Sequence, residues 1–323
     1  MYSLRFYGQM LADAPRMDAY AAALHHTVKP DSVVMDLGSG PGVFALLACK
    51  LGARRVYAVE PDAVISLARE CAAANGFSDR IEFFENLSTQ IDLPEPATII
   101  ISDLRGVLPW FQQHLPSIID ARTRLLARGG VLIPQRDVLW AAVVEAPDAY
   151  EEIVGPWQNN KCELDLSAGT GLITNTWRKT RLKPEQLLTD PICWATIDYY
   201  EVNTPDVRAE ICWRAARKGT AHGVAVWFDS ELVDDIGFSN HPRAPEMIYG
   251  NGLFPFSQPV QVLEGDRIQL RLAAKMVGDD YVWRWDSDFF ARDEEARLKA
   301  SFRQSTFFGV PLSKAQLQKL SQA

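Results

Sequence analysis

Residues 33–42 read Val33-Val34-Met35-Asp36-Leu37-Gly38-Ser39-Gly40-Pro41-Gly42, an apolar strand pattern that runs directly into three closely spaced glycines. Glycine adopts backbone angles that other residues avoid, so these glycines allow a tight turn and let a ligand approach the backbone. A helix pattern follows over Val43 to Leu51. This order of strand, glycine loop and helix predicts a ligand-binding crevice at the carboxyl end of a strand in a parallel sheet.

The spacing of the glycines narrows the choice of ligand. A dinucleotide fingerprint, G-x-G-x-x-G, would have its third glycine at position 43, which is Val43 here. The observed spacing, G-x-G-x-G, suits adenosyl and methionyl groups rather than a pyrophosphate. Glu60 ends the second predicted strand, where a carboxylate can accept both ribose hydroxyls of an adenosine, and Pro61 turns the chain into the next helix. These features predict a nucleoside-containing cofactor; the alternative is a doubly wound domain with an empty crevice.

The pattern of apolar and polar residues predicts an α/β protein with two folded regions. Residues 1–135 alternate apolar strand runs with amphipathic stretches, which predicts a Rossmann-like domain with a parallel sheet covered on both faces. Residues 136–290 carry runs of aromatic and β-branched residues separated by turns, which predicts an antiparallel β-barrel or sandwich. Residues 155–185 fit that pattern badly and are predicted to be an insertion.

A C-terminal extension, residues 291–323, is predicted to be helical. The charged stretch from Arg292 to Gln304 is expected to form one helix. The pattern Ser313-x-x-Gln316 is a capping box, which predicts the start of a short last helix.

The composition limits the partners that we expect. The chain has 323 residues, 47% of them hydrophobic and 23% charged, as in soluble globular proteins. No apolar run reaches the roughly 18 residues that a membrane span needs. The five cysteines form no C-x-x-C pair, so no metal site is predicted. A net charge of −8 repels phosphate backbones. We therefore expect a cytoplasmic protein without a membrane or nucleic-acid partner.

Several further motifs stand in a fixed order around the glycine loop. They are Met10-Leu11-Ala12-Asp13-Ala14-Pro15-Arg16-x-x-x-Tyr20, Val56-Tyr57-Ala58-Val59-Glu60, Ile100-Ile101-Ser102-Asp103-x-x-Gly106 and Gly237-Phe238-Ser239-x-x-Pro242-x-x-Pro245. With the glycine loop, they make the chain resemble the protein arginine methyltransferase family over most of its length. The resemblance implies a class I methyltransferase domain that uses S-adenosylmethionine, a β-barrel, and a helical arm near residues 155–185 that holds a homodimer.

The same resemblance supplies roles that the spacing alone does not. It implies that Arg16 pairs with the carboxylate of the cofactor, a contact that suits a guanidinium fork. It places Met10 near the sulfonium, and Ser88 and Thr89 near the adenine. The predicted cofactor-binding residues are Met10, Arg16, Asp36, Gly38, Ser39, Gly40, Gly42, Glu60, Pro61, Ser88, Thr89 and Asp103.

The part of the family pattern that handles arginine is altered. The family binds the protonated guanidinium of its acceptor with two glutamates after the fourth strand. Here those positions are Asp103 and Gln112, and Arg105 adds a positive charge to the same loop. The Thr-His-Trp loop of the family is also missing, and Glu246 stands in the sequence that replaces it.

Three interpretations remain open at this stage. The first is an active methyltransferase on an N or O nucleophile of a small molecule or of a peptide or protein side chain. Its base is Asp103, or His114 if that residue faces the cleft. The second is an arginine methyltransferase with a rebuilt site that uses Glu246. The third is a catalytically inactive scaffold that keeps the fold. The catalytic candidates are Asp103, Gln112, His114 and Glu246.

Overall fold

A parallel sheet organises the N-terminal region. Its strands are hydrogen-bonded in the order β3-β2-β1-β4-β5, and the order reverses between β1 and β4. Ligands of such sheets bind beyond the carboxyl ends of the strands at this switch point. The structure, a computed structural model, describes residues 3–292 and 297–309. The five strands are β1 (Val33–Leu37), β2 (Arg55–Val59), β3 (Ile81–Phe84), β4 (Ala97–Ser102) and β5 (Leu126–Ile133).

Five helices accompany this sheet. Every residue of β1 is buried, which is typical of a parallel strand that is covered on both faces. Three of the helices follow strands of the sheet. The loops that precede these helices carry the predicted site residues Ser39, Glu60 and Asp103. The helices are α1 (Leu4–Ala12), α2 (Ala14–Thr27), α3 (Val43–Lys50), α4 (Ile65–Ala74) and α5 (His114–Arg124).

Asp13 separates the first two helices. One oxygen of its carboxylate, Oδ1, accepts a hydrogen bond from the backbone N–H of Arg16 at 3.4 Å, which caps α2. The other oxygen, Oδ2, accepts from the backbone N–H of Ile248 at 2.6 Å. The cap fixes Arg16 in the first turn of α2, facing inward, with 4% of its surface exposed.

The chain divides into two compact units, and both are discontinuous in sequence. The first contains Met1–Leu139, Thr196–Pro205 and Phe228–Gly250, and the second contains the segments between and after these. The sequence predicted three continuous segments, residues 1–135, 136–290 and 291–323. Two later segments join the first unit because their apolar residues pack on its helices; the ring of Phe238, for example, lies 5.9 Å from that of Tyr20.

The remaining strands form two further sheets. A six-stranded sheet has the order β7-β12-β10-β6-β8, with β11 paired to β10, and a four-stranded antiparallel sheet has the order β15-β14-β13-β9. In the second unit, Phe254 lies between Trp283 and Trp285, with ring centroids 5.1 and 5.3 Å away. The strands are β6 (Arg136–Val144), β7 (Arg178–Thr180), β8 (Ile192–Asp198), β9 (Val207–Arg214), β10 (Gly219–Val233), β11 (Ile236–Ser239), β12 (Asn251–Val262), β13 (Arg267–Val277), β14 (Asp280–Phe290) and β15 (Leu298–Ser305).

The predicted insertion is partly helical. It contains the end of α6 (Pro147–Gln158) and all of α7 (Ala168–Ile173), which are followed by the short strand β7. Proline opens α6 at a position where its missing N–H has no partner to lose. Several leucines of this segment are exposed, most of all Leu164 with 60% of its surface accessible.

The predicted helix from Arg292 to Gln304 is wrong over its described residues. Leu298–Ser305 is strand β15, which pairs antiparallel with β14. Burial of Phe302 explains the strand, because its ring packs on Phe289 and Phe256 at 6.1 and 6.0 Å. The predicted last helix at Ser313 lies outside the described residues. Within the described ranges, no helix is long and apolar enough to cross a membrane.

Candidate functional site: the glycine loop and the loop after β4

The three glycines of the loop all adopt left-handed backbone angles, with φ of +74°, +52° and +80° at Gly38, Gly40 and Gly42. A side chain at Gly40 would come within 2.8 Å of the Tyr7 ring, and one at Gly42 within 2.8 Å of Ala68. A side chain at Gly38 would collide with Leu104 of the loop after β4. Both backbone angle and space therefore require glycine, as the sequence predicted.

One hydrogen bond joins Glu60 to the glycine loop, and a second joins it to the turn after β2. Its Oε2 accepts from the backbone N–H of Gly40 at 2.9 Å, and its Oε1 accepts from that of Asp62 at 3.0 Å. Burial raises the pKa of Glu60, while the two N–H groups lower it. Glu60 therefore lies at the end of β2 beside the loop, where a carboxylate can reach the hydroxyls of a ribose.

Asp36 connects strand β1 with helix α3, on either side of the glycine loop. Only 1% of its surface is exposed, and its Oδ2 accepts from the backbone N–H of Ala45 at 2.9 Å in the first turn of α3. Burial raises the pKa of Asp36 to about 7, and the neighbouring charge of Glu60 adds to the rise. The charges of Arg16 and Asp103 also reach Asp36, so the predicted cofactor residues share one electrostatic environment.

Buried hydroxyls test whether a nucleoside-containing cofactor fits this site. Among the described residues, the side-chain oxygens of Ser39, Ser88 and Ser102 are buried without a hydrogen-bond partner. Buried polar atoms without partners are rare, and a polar ligand is one explanation for them. Ser39 belongs to the glycine loop, Ser102 ends β4, and Ser88 follows β3. Together with the glycines and Glu60, these donors and acceptors fit S-adenosylmethionine.

The other predicted cofactor residues differ in their exposure. Met10 is half-buried at the end of α1, and its backbone carbonyl accepts from Nη1 of Arg16 at 3.1 Å. Pro61 and Thr89 are exposed. Their cofactor contacts therefore stay predictions.

Arg16 and Asp103 form a buried ion pair. The Nε and Nη2 atoms of Arg16 both lie 2.6 Å from Oδ2 of Asp103. The hydroxyl of Tyr249 donates to the same carboxylate, 2.7 Å from Oδ1 and 2.8 Å from Oδ2. Burial opposes the charge on Arg16, but Asp103 outweighs it and holds the pKa of Arg16 above its usual value. The carboxylate that the sequence predicted to face the acceptor is therefore already bound by two groups of the chain.

Arg105 turns inward from the same loop. Its Nη1 lies 2.7 Å from Oδ1 of Asp137 and 2.7 Å from the hydroxyl of Ser230, and its side chain is fully buried. Its guanidinium carbon lies 5.2 Å from the ring of Phe228 and 5.7 Å from that of Phe238. The positive charge that the sequence placed on the loop is thus balanced inside the first unit by a carboxylate that the prediction missed.

His114 does not face open space. It is 1% exposed at the start of α5, and its Nε2 lies 3.0 Å from the hydroxyl of Tyr199, which in turn lies 2.6 Å from Oδ2 of Asp137. Burial and the charge of Arg105 hold the pKa of His114 well below its usual value. The sequence prediction made His114 a base on the condition that it faces a cleft, and its burial removes that condition.

Gln112 and Glu246 are both exposed. Gln112 has a left-handed φ of 43°, on a turn before α5. The sequence prediction missed Tyr249, Asp137 and Tyr199. A signal existed only for Asp137, a lone carboxylate near the start of an apolar strand run. The two tyrosines look like ordinary core residues until the fold brings them to the carboxylates.

Comparisons with known proteins agree with this geometry. Residues 135–287 match the family model described as arginine methyltransferase oligomerization subdomain, and residues 20–146 match ribosomal protein L11 methyltransferase (PrmA). Among curated relatives, a probable protein arginine N-methyltransferase 6 of Arabidopsis thaliana is 29% identical, covering 69% of this chain and 53% of its own length. Protein arginine N-methyltransferase 1 of Dictyostelium discoideum is 26% identical, covering 80% of this chain and 78% of its own length. The chain thus spans about half of the first relative.

Solved structures share the fold. A chain of the Trypanosoma brucei PRMT1 enzyme–prozyme heterotetrameric complex with AdoHcy has a TM-score of 0.82 at 21% identity, over 93% of this chain and 96% of that one. Arabidopsis thaliana protein arginine methyltransferase 10 has a TM-score of 0.80 at 23% identity, over 94% and 97%. The solved structures confirm the predicted fold class. The names of the family models and of the relatives agree with the predicted methyltransferase and with S-adenosylmethionine as its cofactor. In its family matches and its relatives, the chain is similar to the protein arginine methyltransferases.

Proposed function

We propose that this chain transfers the methyl group of S-adenosylmethionine to an N or O nucleophile that is not an ordinary arginine side chain. The acceptor is a small molecule or a side chain of a peptide or protein. One observation carries the proposal: Asp103, the carboxylate on the loop after β4, is engaged by Arg16 and by Tyr249. A protonated guanidinium needs opposing charge, and here a single carboxylate is already shared.

The cofactor side of the proposal rests on the glycine loop. Gly38, Gly40 and Gly42 keep the angles that permit close approach, Glu60 holds the loop, and unpartnered hydroxyls line the neighbouring turns. The bound cofactor would supply an electrophilic methyl on a sulfonium. What the chain must add is alignment of the nucleophile with that methyl group, and a neutral amine or a hydroxyl needs at most one weak base. Asp103 is the candidate for that base.

A second candidate is methyl transfer to arginine through a rebuilt site. The names of the relatives favour it, because both curated relatives above are called protein arginine N-methyltransferases. In this version, the carboxylate of the cofactor competes for Arg16 and releases Asp103, while Glu246 provides the second carboxylate. Glu246 is exposed and precedes Tyr249 by three positions, so it belongs to the segment that already reaches Asp103.

A methyl-transfer screen separates these candidates. Protein with tritiated S-adenosylmethionine is offered glycine- and arginine-rich peptides, lysine- and histidine-containing peptides, and small amines and phenols. Label in non-arginine acceptors supports the first candidate, and label in arginine peptides at an ordinary rate supports the second. Cofactor binding without label in any acceptor contradicts both and favours the inactive scaffold.

We also propose a cytoplasmic homodimer without nucleic-acid or membrane partners. The description of the family model names an oligomerization subdomain, and the exposed apolar side chains of the insertion supply a surface for it. Three leucines of the insertion, Leu164, Leu166 and Leu172, are exposed. Trp177 of the same insertion is half-buried and stacks on Phe254 at 5.9 Å.

A further inference from the structure

The surroundings of Arg105 have the composition of a guanidinium-binding site. A carboxylate oxygen of Asp137 and the hydroxyl of Ser230 each lie 2.7 Å from its Nη1. The rings of Phe228 and Phe238 lie 5.2 and 5.7 Å from its guanidinium carbon, within the range of cation–π attraction. Planar cations are recognised by this combination of carboxylate, hydroxyl and aromatic faces.

The fit of Arg105 in this site is incomplete. Its Nε and Nη2 are buried, and among the described residues they have no hydrogen-bond partner. A buried donor without a partner costs free energy, and a typical structural ion pair satisfies more of its donors. The site therefore provides charge and aromatic faces for a guanidinium without satisfying all the hydrogen bonds of this one.

Asp103 connects this site with the loop that faces the cofactor. Its Oδ1 lies 3.7 Å from Nε of Arg105, and its Oδ2 lies 2.6 Å from Arg16. Two arginines of the chain thus flank the one acidic side chain on this loop. A third guanidinium, brought by an acceptor, would meet a carboxylate whose charge is already matched and an arginine of the same sign beside it.

We infer that Arg105 is a resident guanidinium, which fills a cation site formed by Asp137, Ser230, Phe228 and Phe238 and so closes it to guanidinium groups of ligands. This inference rests on the proposed function in one respect, namely that Asp103 faces the acceptor. It makes Arg105 the residue that sets specificity against cationic acceptors. Without Arg105, the site is open to an alkylguanidinium.

Ethylguanidinium is the matching probe, because Arg105→Ala deletes the same set of heavy atoms. The melting temperature of Arg105→Ala is measured with ethylguanidinium and with ethylurea, its neutral counterpart. We expect ethylguanidinium to raise it by about 2–4 °C at about five times the dissociation constant, and ethylurea to have no effect. The wild-type protein and Arg54→Ala, which removes an exposed arginine, are expected to show no such rise. An equal rise in wild type, or none in Arg105→Ala, overturns the inference.

Arg105→Ala could fail to fold, because it leaves the charge of Asp137 buried without its partner, and refolding experiments test this case. If Arg105→Ala does not fold alone, it is refolded with ethylguanidinium or ethylurea, next to the double variant Arg105→Ala/Asp137→Asn, which removes the unpaired charge. Recovery with ethylguanidinium alone supports the inference. Failure with both compounds overturns it, whether or not the double variant folds, because a ligand then cannot replace the side chain. The readout is stability, so a failure of the proposed methyl transfer leaves it interpretable.

Discussion

Arg16 directs both Nε and Nη2 at the same oxygen of Asp103, at 2.6 Å each, so one edge of its guanidinium is bound to a neighbour in the fold. The family resemblance assigns this guanidinium to the carboxylate of the cofactor. A cofactor carboxylate would share the single positive charge of Arg16 with Asp103, which weakens each contact. Binding of the cofactor and the state of Asp103 are therefore coupled through Arg16, and coupled sites affect each other reciprocally.

Removing the charge of Asp103 should strengthen cofactor binding. We expect Asp103→Asn to bind S-adenosylhomocysteine about fivefold or more tightly than wild type, because Arg16 is no longer shared. Asp103→Glu keeps the charge and should behave like wild type. Calorimetric titration measures both. 5′-Methylthioadenosine lacks the carboxylate, so its affinity should be the same in all three proteins. Weaker binding of S-adenosylhomocysteine by Asp103→Asn would refute the competition.

The role of Gly40 in the glycine loop can be tested with Gly76 as a matched control, because both glycines have a left-handed φ. Gly40 and Gly76 have φ of +52° and +72°, but only at Gly40 would a side chain meet a neighbour, the ring of Tyr7. We expect Gly40→Val and Gly76→Val each to lose about 1–2 kcal/mol of stability from the strained backbone. Only Gly40→Val should lose cofactor affinity, by about tenfold or more. Equal affinity in the two variants would remove the loop from the cofactor site.

Asp36 should make stability depend on pH. Its pKa is about 7 in the folded protein against an ordinary 3.8, so between these values the folded state binds more protons than the unfolded state. The free energy of unfolding should therefore fall as pH rises from about 4 to 7 and level off above. Asp36→Asn keeps an acceptor for the N–H of Ala45 and cannot titrate. Urea unfolding at several pH values measures the free energy of unfolding. That of the variant should rise relative to that of wild type by up to about 4 kcal/mol across this window. A constant difference would contradict the prediction.

Much of the fold is visible in the sequence because strand and helix patterns are local. The strand pattern before the glycine loop coincides with β1 (Val33–Leu37), and the helix pattern from Val43 to Leu51 coincides with α3 (Val43–Lys50) except at its last residue. The helix predicted over Leu298–Ser305 was wrong. Its charged residues suit a helix, and only the pairing with strand β14 makes the segment a strand. The glycine loop was readable for the same reason that the strands were, since its function depends on a short contiguous stretch.

The acceptor side of the site was less predictable because it is assembled from distant segments. Arg105 was recognised as a charge, but its partner Asp137 stands 32 positions away and Ser230 stands 125 away. Nothing local indicates that these side chains meet. Tyr249 could not be chosen over the other tyrosines before the fold placed its hydroxyl on Asp103.

The insertion should carry the contact of the dimer. Leu164 and Leu263 are similarly exposed, 60% and 51%, but only Leu164 lies in the arm. We expect Leu164→Glu to produce monomers at concentrations where wild type is dimeric, because a carboxylate would be buried in an apolar contact. Leu263→Glu should leave the mass unchanged. Light scattering at tens of micromolar measures the outcome. A dimer that survives Leu164→Glu, or a monomeric wild type, would contradict this prediction.

The acceptor specificity should depart from that of the relatives. We expect glycine- and arginine-rich peptides to be methylated at least about thirtyfold more slowly than by an ordinary arginine methyltransferase. Losing one carboxylate opposite a desolvated guanidinium costs about 2–5 kcal/mol, and about 2 kcal/mol corresponds to that factor. Gln112 is a neutral amide at the second position, and it is exposed on a left-handed turn. The first position, Asp103, is shorter than glutamate and is bound by Arg16.

Restoring the carboxylates alone should not restore that activity. In Asp103→Glu/Gln112→Glu, Arg105 still lies beside the loop carboxylate, with Nε 3.7 Å from the present Asp103, and keeps repelling a cationic acceptor. Adding Arg105→Ala should raise turnover on the peptides above that of the double variant, as measured with labelled S-adenosylmethionine. If wild type methylates the peptides as fast as an ordinary arginine methyltransferase does, the prediction is refuted. Glu246 is then the candidate for the second carboxylate. In that case Glu246→Gln should abolish the activity, because it would remove the only carboxylate on the segment that reaches Asp103 through Tyr249.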